Sequence, residues 1–121
     1  MGESPLVLVV EDDDAVRLSL RDYLQRKGLR VMVTSDGLGA IKCLVDHEVG
    51  LIVTDFRMSQ LGGDYWMRFL RKFCPTIPVF VMSGFLEPDV DVPYPSFPKP
   101  FDYGELEQRI RETLQHGTDD R

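Results

Sequence analysis

The 121-residue chain has few cysteines, no long apolar run and no excess of positive charge, and each shortage excludes a class of protein. Its two cysteines, Cys43 and Cys74, cannot build a disulfide-rich scaffold or a cysteine-based zinc site, and they indicate free thiols in a reducing compartment. The apolar run at 6–10 is too short to span a membrane or to form the core of a signal peptide. The 14 Lys and Arg residues against 20 Asp and Glu give a net charge of −6, which disfavours direct binding of nucleic acid. We therefore expect a cytoplasmic protein with no membrane contact.

Short apolar runs alternate with helical patterns along the whole chain. Runs of β-branched and aliphatic residues predict strands buried on both faces at 6–10, 31–33, 51–54, 78–82 and around Phe97. Apolar residues spaced three and four apart predict helices from about Asp13 to Gly28 and at 37–47, 65–73 and 103–115. The length predicts one domain over 1–121, with a core at about 6–115 and a polar tail that frays from His116.

Two of these helices are predicted mainly from the spacing of their apolar residues. The same residues define the faces that we expect to be buried. The helix at 37–47 is expected to bury Leu38, Ile41, Leu44 and Val45, and the helix at 65–73 to bury Trp66, Met67, Leu70 and Phe73.

The alternation of strands and helices predicts an α/β fold, with a parallel sheet covered by helices on both faces. Ligands of such sheets bind beyond the carboxyl ends of the strands, so the residues that follow each strand are the ones to examine. These residues are Glu11 and Asp12 after the first strand, Asp55 after the third, Ser83 after the fourth and Lys99 after the fifth. Each of them alone could be a helix cap or a turn residue, but together they place three carboxylates, a hydroxyl and an ammonium at one edge.

This set of groups favours phosphoryl chemistry. Three carboxylates at one edge repel each other unless a cation lies among them, and ligands that are all oxygen select Mg²⁺ over zinc or copper. A hydroxyl and an ammonium suit the oxygens of a phosphoryl group, and a carboxylate can act as the nucleophile that becomes an acyl phosphate.

Five segments in the same order resemble the receiver domain of the response regulators of two-component signalling. They are LVLVVEDDDAVR at 6–17, Asp36-Gly37, LIVTDFRM at 51–58, PVFVMSG at 78–84 and Lys99-Pro100-Phe101. The resemblance covers about 6–115. It implies a flavodoxin-like three-layer sandwich with a five-stranded parallel sheet in the order 2-1-3-4-5.

The resemblance also implies a role for each strand-end residue. Asp55 corresponds to the phosphoacceptor, Ser83 to the hydroxyl that grips the phosphoryl group, and Lys99 to the lysine that pairs with Asp55 or its phosphate. For the metal, Asp12 corresponds to the direct Mg²⁺ ligand, Glu11 to a ligand through water, and Arg57 to a ligand through its backbone carbonyl. Asp55 belongs to the implied metal ligands as well. Mg²⁺ is the implied cofactor, with Mn²⁺ as a substitute.

By the same resemblance, the phosphoryl group comes from the phosphohistidine of a sensor histidine kinase or a phosphotransfer protein. The chain then changes conformation and acts on a downstream protein target. It is not an enzyme beyond its own phosphorylation and dephosphorylation. A stand-alone regulator and the receiver of a hybrid kinase both fit the sequence.

The stretch between Ser83 and Lys99 departs from the family pattern. Five of the eight prolines of the chain lie between Pro88 and Pro100, which predicts a loop where receivers have their fourth helix, so that this helix is shortened or missing. The aromatic residue that usually stands three positions before the lysine is replaced by Ser96.

Three other functions compete with a phosphorylated receiver. A pseudo-receiver would keep the fold as a protein-binding module without phosphorylation, although the complete set of site residues argues against it. An aspartyl-phosphate phosphatase needs a second Asp two residues after the nucleophile, where this chain has Arg57. A flavodoxin-like cofactor binder needs a hydroxyl- and glycine-rich loop after the first strand, where this chain has four consecutive acids.

Overall fold

The computed structural model of the chain describes residues 5–56, 63–83 and 94–119. Within these ranges it contains five strands and four helices. In chain order they are β1 (Leu6–Val10), α1 (Asp14–Arg26), β2 (Arg30–Thr34), α2 (Gly37–Asp46), β3 (Val49–Asp55), α3 (Gly63–Phe73), β4 (Val79–Ser83), β5 (Ser96–Pro98) and α4 (Tyr103–Asp119).

The five strands form one parallel sheet in the order β2-β1-β3-β4-β5, which confirms the predicted fold class and strand order. Alternate residues of the central strands serve opposite faces of the sheet. Val7 and Val9 of β1 pack with α1 and α4, whereas Leu8 and Val10 pack with α2 and α3. Because both faces are covered, the molecule has the three layers of a flavodoxin-like sandwich.

The strand register brings the carboxyl ends of the strands to one edge of the sheet. Val10 at the end of β1 pairs with Thr54 of β3, and Asp55 pairs with Met82 of β4. Ser83 in turn pairs with Pro98 of β5. The residues that follow these pairs therefore lie along the same edge.

Polar residues define the beginnings of two helices. The Asp13 carboxylate accepts a hydrogen bond from the amide of Val16 and caps α1, and Asp36 caps α2 through the amide of Gly39. Gly28 has a φ of 91° just after α1, a backbone conformation that favours glycine and that agrees with its predicted place at the helix end.

The predicted buried faces of α2 and α3 are partly wrong. Leu38 and Val45 are 73% and 78% exposed, while Ala40 and Cys43 are buried in α2. Residues 38 and 45 share one side of a helix with 3.6 residues per turn, and the small residues on the other side let α2 pack closely on the sheet. Phe73 at the end of α3 is 64% exposed, although Trp66, Met67 and Leu70 are buried as predicted.

The carboxyl end of helix α4 differs from the prediction. Helix α4 continues through Asp119, beyond the end at 115 that the sequence pattern predicted, and the fraying of the tail from His116 stays a prediction. The predicted loss of a helix between β4 and β5 concerns residues 84–93, which lie outside the described residues.

In the described part of the chain, no helix is long and apolar enough to cross a membrane.

Candidate functional site

Three carboxylates converge at the carboxyl edge of the sheet. Glu11 and Asp12 directly follow β1, and Asp55 ends the neighbouring strand β3. One carboxylate oxygen from each of the three residues lies within 4.8 Å of the others. Glu11 is fully buried and Asp55 nearly so, whereas Asp12 is exposed. The cluster is therefore anchored in the protein and open to solvent on the side of Asp12.

Lys99 supplies the positive charge of the site. Its backbone amide donates to the carbonyl oxygen of Ser83 at 2.8 Å, which fixes the residue just beyond β5. Its Nζ lies 2.7 Å from Oε1 of Glu11 and 3.3 Å from Oδ1 of Asp55. The expected pairing with Asp55 is thus present, but the shorter contact is with Glu11. Three carboxylates against one ammonium leave an excess of negative charge.

Hydrogen bonds hold Glu11 in place on every side. Its Oε2 accepts from the amide of Asp13 at 3.1 Å, and its own amide donates to the carbonyl oxygen of Thr34 at 3.0 Å. Its carbonyl oxygen accepts from Nη1 of Arg17 at 3.0 Å. A buried carboxylate needs such partners, because an unpaired charge in the interior is costly.

The pKa values of the site reflect its burial and its crowded charges. The pKa of Asp55 is raised to about 7, first by burial and then by the negative charge of Glu11, with Lys99 acting in the opposite direction. Partial burial lowers the pKa of Lys99, but the hydrogen bond to Glu11 and the charge of Asp55 outweigh it and raise that pKa above its usual value. A cation beside Asp55 would favour its charged form and bring its pKa down.

The remaining predicted site residues are Ser83 and Arg57. Ser83 ends β4 and is 6% exposed, and it follows Met82, the register partner of Asp55. Ser83 therefore lies at the same edge of the sheet as Asp55. Arg57 lies outside the described residues, so its predicted role as a backbone metal ligand stays a prediction.

Two residues that the strand-end pattern did not indicate support Asp55 from the other side, Thr54 directly and Trp66 through Thr54. Trp66 of α3 donates from Nε1 to the hydroxyl of Thr54 at 2.8 Å, and this hydroxyl donates to the carbonyl oxygen of Asp55 at 3.0 Å. The sequence contained a signal for this arrangement. A buried indole needs an acceptor for its N–H, and Thr54 is the one polar side chain in the run 51–54.

The residues of the acidic cluster fit a Mg²⁺ ion. Their donor atoms are all carboxylate oxygens, which is the ligand type that Mg²⁺ prefers, and they lie close enough to share one ion. The excess of negative charge that Lys99 leaves uncompensated also favours a divalent cation. Asp12 and Asp55 would hold the ion directly.

Comparisons with known proteins identify the family to which the chain belongs. The family model of the response regulator receiver domain matches residues 7–94, so the chain belongs to that family and is a receiver domain of two-component signalling. The resemblance drawn from the sequence is thereby confirmed.

Relatives of known sequence include a sensor kinase and a response regulator. The chain is 32% identical over 123 residues to the sensor kinase CckA of Brucella abortus (strain 2308), which covers 95% of this chain and 13% of that protein. It is also 32% identical over 123 residues to the response regulator MprA of Mycobacterium sp. (strain KMS), covering 94% of this chain and 52% of that protein. The chain thus spans about half of one relative and a small part of the other.

Solved structures share the fold over nearly the whole chain. A CheY-like response regulator receiver domain protein from Methanospirillum hungatei JF-1 has a TM-score of 0.90 and 17% identity, covering 98% of this chain and 100% of that one. A response regulator receiver protein from Pseudomonas putida has a TM-score of 0.84 and 27% identity, covering 93% and 99% of the two chains.

Proposed function

We propose that this receiver domain takes a phosphoryl group from a phosphohistidine onto Asp55 in a Mg²⁺-dependent reaction, and that the transfer changes its conformation. The observation that carries the proposal is the convergence of Glu11, Asp12 and Asp55 within 4.8 Å, with the ammonium of Lys99 against two of them. A carboxylate in this setting has the neighbours that phosphoryl transfer requires, namely positioning groups and positive charge.

In the proposed step, a carboxylate oxygen of Asp55 attacks the phosphorus atom of the donor. The new P–O bond forms an acyl phosphate while the P–N bond breaks, and the imidazole leaves with the bonding pair and takes up a proton. Mg²⁺, when bound by Asp12 and Asp55, supplies positive charge that offsets the repulsion between the carboxylate and the incoming phosphoryl oxygens.

Lys99 and Ser83 act on the phosphoryl group in this proposal. After transfer, the ammonium of Lys99 is placed to pair with a phosphoryl oxygen, because it already lies 3.3 Å from Oδ1 of Asp55. The Ser83 hydroxyl donates to another phosphoryl oxygen from the neighbouring strand end. Glu11 holds Lys99 in position and contacts the metal through water.

The proposed partners follow from the family and from the names of the relatives. The donor is a sensor histidine kinase or a phosphotransfer protein, and the phosphorylated domain acts on a downstream protein target. The acidic net charge of −6 argues against direct nucleic-acid binding. We place the protein in the cytoplasm, where it catalyses only its own phosphorylation and dephosphorylation.

A small phosphodonor tests the proposal without knowledge of the kinase. The protein is incubated with phosphoramidate or acetyl phosphate, with Mg²⁺ or with a chelator, and intact mass is measured. Wild-type protein should gain one phosphoryl group with Mg²⁺ and none with the chelator, and Asp55→Asn should gain none. Equal labelling of Asp55→Asn would move the site elsewhere, and an unlabelled wild type in Mg²⁺ would favour a pseudo-receiver.

A further inference from the structure

A chain of hydrogen bonds connects helix α3 to the backbone of Asp55. It runs from Nε1 of Trp66 to the hydroxyl of Thr54 at 2.8 Å and from that hydroxyl to the carbonyl oxygen of Asp55 at 3.0 Å. Trp66 and Thr54 are both fully buried. The chain therefore lies inside the core, on the side of the sheet that α2 and α3 cover.

The direction of these hydrogen bonds is fixed by the groups themselves. An indole N–H can only donate, so the Thr54 oxygen must accept from Trp66. A hydroxyl has a single proton, and the bond from Trp66 leaves that proton for the carbonyl of Asp55. Trp66 thus orients the Thr54 hydroxyl toward the backbone of the proposed phosphoacceptor.

The peptide group that follows Asp55 is held at both ends. Its carbonyl oxygen accepts from Thr54, and its N–H, which belongs to Phe56, donates to the carbonyl oxygen of Met82 at 3.0 Å. A peptide group is planar, so two such bonds fix its orientation. The direction of the Asp55 side chain depends on the adjoining backbone angles, and its carboxylate is thereby held toward Glu11 and Asp12.

Packing alone would not require these polar groups. Trp66 lies in an apolar cluster with Leu8, Ile52 and Val81, where an apolar pair of similar shape could fill the same space and would lose only the hydrogen bond to the Asp55 carbonyl. The polar pair ends instead on the carbonyl of the residue whose carboxylate needs precise placement.

We propose that Thr54 and Trp66 are positioning residues, which hold the Asp55 backbone so that its carboxylate is aligned for phosphoryl uptake. This inference rests on the proposed function of Asp55. When a group that orients a metal ligand by a hydrogen bond is removed, metal affinity or activity typically falls about 10- to 100-fold. Neither residue touches the donor, so their loss acts on the limiting rate and leaves the concentration of donor needed for half-saturation unchanged.

The test compares variants that differ in the hydroxyl and in little else. Thr54→Val removes the hydroxyl and keeps the shape, and Thr54→Ser keeps the hydroxyl and loses a methyl group. Ile52→Val is the matched control, because Ile52 is a buried β3 residue on the same face of the sheet and has no polar group. The limiting rate of phosphorylation by phosphoramidate is measured for each variant in saturating Mg²⁺, beside its melting temperature.

We expect Thr54→Val to lower the limiting rate by about tenfold or more, and Thr54→Ser to restore most of it. Ile52→Val should lower the melting temperature and leave the limiting rate at the wild-type value. Trp66→Phe, which leaves no buried donor without an acceptor, is the second variant if Thr54→Val does not fold. Its limiting rate should fall as well, because the Thr54 hydroxyl is then free to turn away from Asp55.

The indole N–H of Trp66 gives a second readout, because the chain contains a single tryptophan. Its NMR signal should shift when beryllofluoride and Mg²⁺ are added to wild-type protein or to Ile52→Val, and should stay in place in Thr54→Val. A folded Thr54→Val with the wild-type rate and a shifting indole signal would overturn the positioning role alone. A wild type that takes up no phosphoryl group would instead overturn the proposed function, and the positioning role with it.

Discussion

The two sides of Asp55 present it with different kinds of group. On one side lie charged groups, the carboxylates of Glu11 and Asp12 and the ammonium of Lys99. On the other side lie neutral hydrogen-bonding groups, the hydroxyl of Thr54 and, behind it, the indole of Trp66. The charged side includes the exposed Asp12, whereas the neutral side is closed.

This difference separates two tasks that a phosphoryl site must perform. Charged groups provide the electrostatic energy of the reaction, and they respond to metal ions and pH. Neutral groups cannot do this, but they hold geometry without adding another charge to a crowded site. The two sides should therefore fail in different ways when they are altered, and the following predictions use that difference.

The largest effect on stability is expected on the charged side, from Lys99→Met. The change leaves the fully buried carboxylate of Glu11 without its 2.7 Å partner, which we expect to cost about 2 kcal/mol or more of unfolding free energy without metal. Mg²⁺ should stabilise this variant more than it stabilises wild type, because the ion replaces the lost positive charge. Urea unfolding with and without Mg²⁺ measures both effects.

Lys42→Met is the control for that experiment, because Lys42 is an exposed lysine of α2. It should change the unfolding free energy by less than about 0.5 kcal/mol. If Lys99→Met proved no less stable than Lys42→Met, the ion pair with Glu11 would not be a stabilising contact.

The next effect concerns metal affinity. Asp12→Asn replaces the exposed carboxylate of the cluster by a neutral amide and should weaken Mg²⁺ binding at least about tenfold. Asp46→Asn, which alters an exposed acid at the end of α2, should leave that affinity unchanged. Calorimetric titration with Mg²⁺ measures both, and equal affinities for the two variants would place the ion away from Asp12.

A smaller effect is expected in the dependence of stability on pH without metal. Burial and the charge of Glu11 raise the pKa of Asp55 from 3.8 to about 7, so the folded protein holds a proton between these values that the unfolded chain has released. The stabilising contribution of Asp55 is then fully present below about pH 4 and is lost as the pH rises through about 7.

Unfolding in a chelator at several pH values tests this sign. The stability of wild-type protein should fall relative to Asp55→Asn as the pH rises through that window, and added Mg²⁺ should remove the difference. A wild type that gains stability relative to Asp55→Asn over the same window would show that the pKa of Asp55 is lowered instead.

The smallest expected effect is on the pKa of Asp55, and it distinguishes the charged side of Asp55 from the neutral side most clearly. Glu11→Gln removes a negative charge and frees Lys99 for Asp55, so the pKa of Asp55 should fall. Thr54→Val changes no charge and should leave that pKa where it is. NMR titration of the Asp55 carboxyl carbon measures the two variants, and equal shifts in both would remove the distinction between a charged and a neutral side.

The sequence predicted the charged side well and the neutral side poorly, for physical reasons. Parallel strands bring their carboxyl ends to one edge, so residues directly after apolar runs could be placed together from the sequence alone. The sequence could not tell which carboxylate Lys99 approaches more closely, because that depends on distances across the sheet. The contact between Trp66 and Thr54 depends on how α3 lies over β3, and composition gives no such information.

The wrong prediction of the buried face of α2 has a related cause. Leu38 and Val45 are more apolar than Ala40 and Cys43, and hydrophobicity alone therefore favoured the exposed pair. The close packing of α2 on the sheet selected small residues instead, which is a tertiary requirement that a helical pattern does not express.

The most direct test of the account is to trap the acyl phosphate and locate it. Protein phosphorylated by phosphoramidate in Mg²⁺ is treated with borohydride, which reduces an acyl phosphate to an alcohol, and the modified residue is identified by peptide mass spectrometry. The account predicts that Asp55 alone is converted to homoserine, and only in samples that contained Mg²⁺. Conversion of Asp12 or another acid instead, or conversion of Asp55 without any divalent ion, would contradict it.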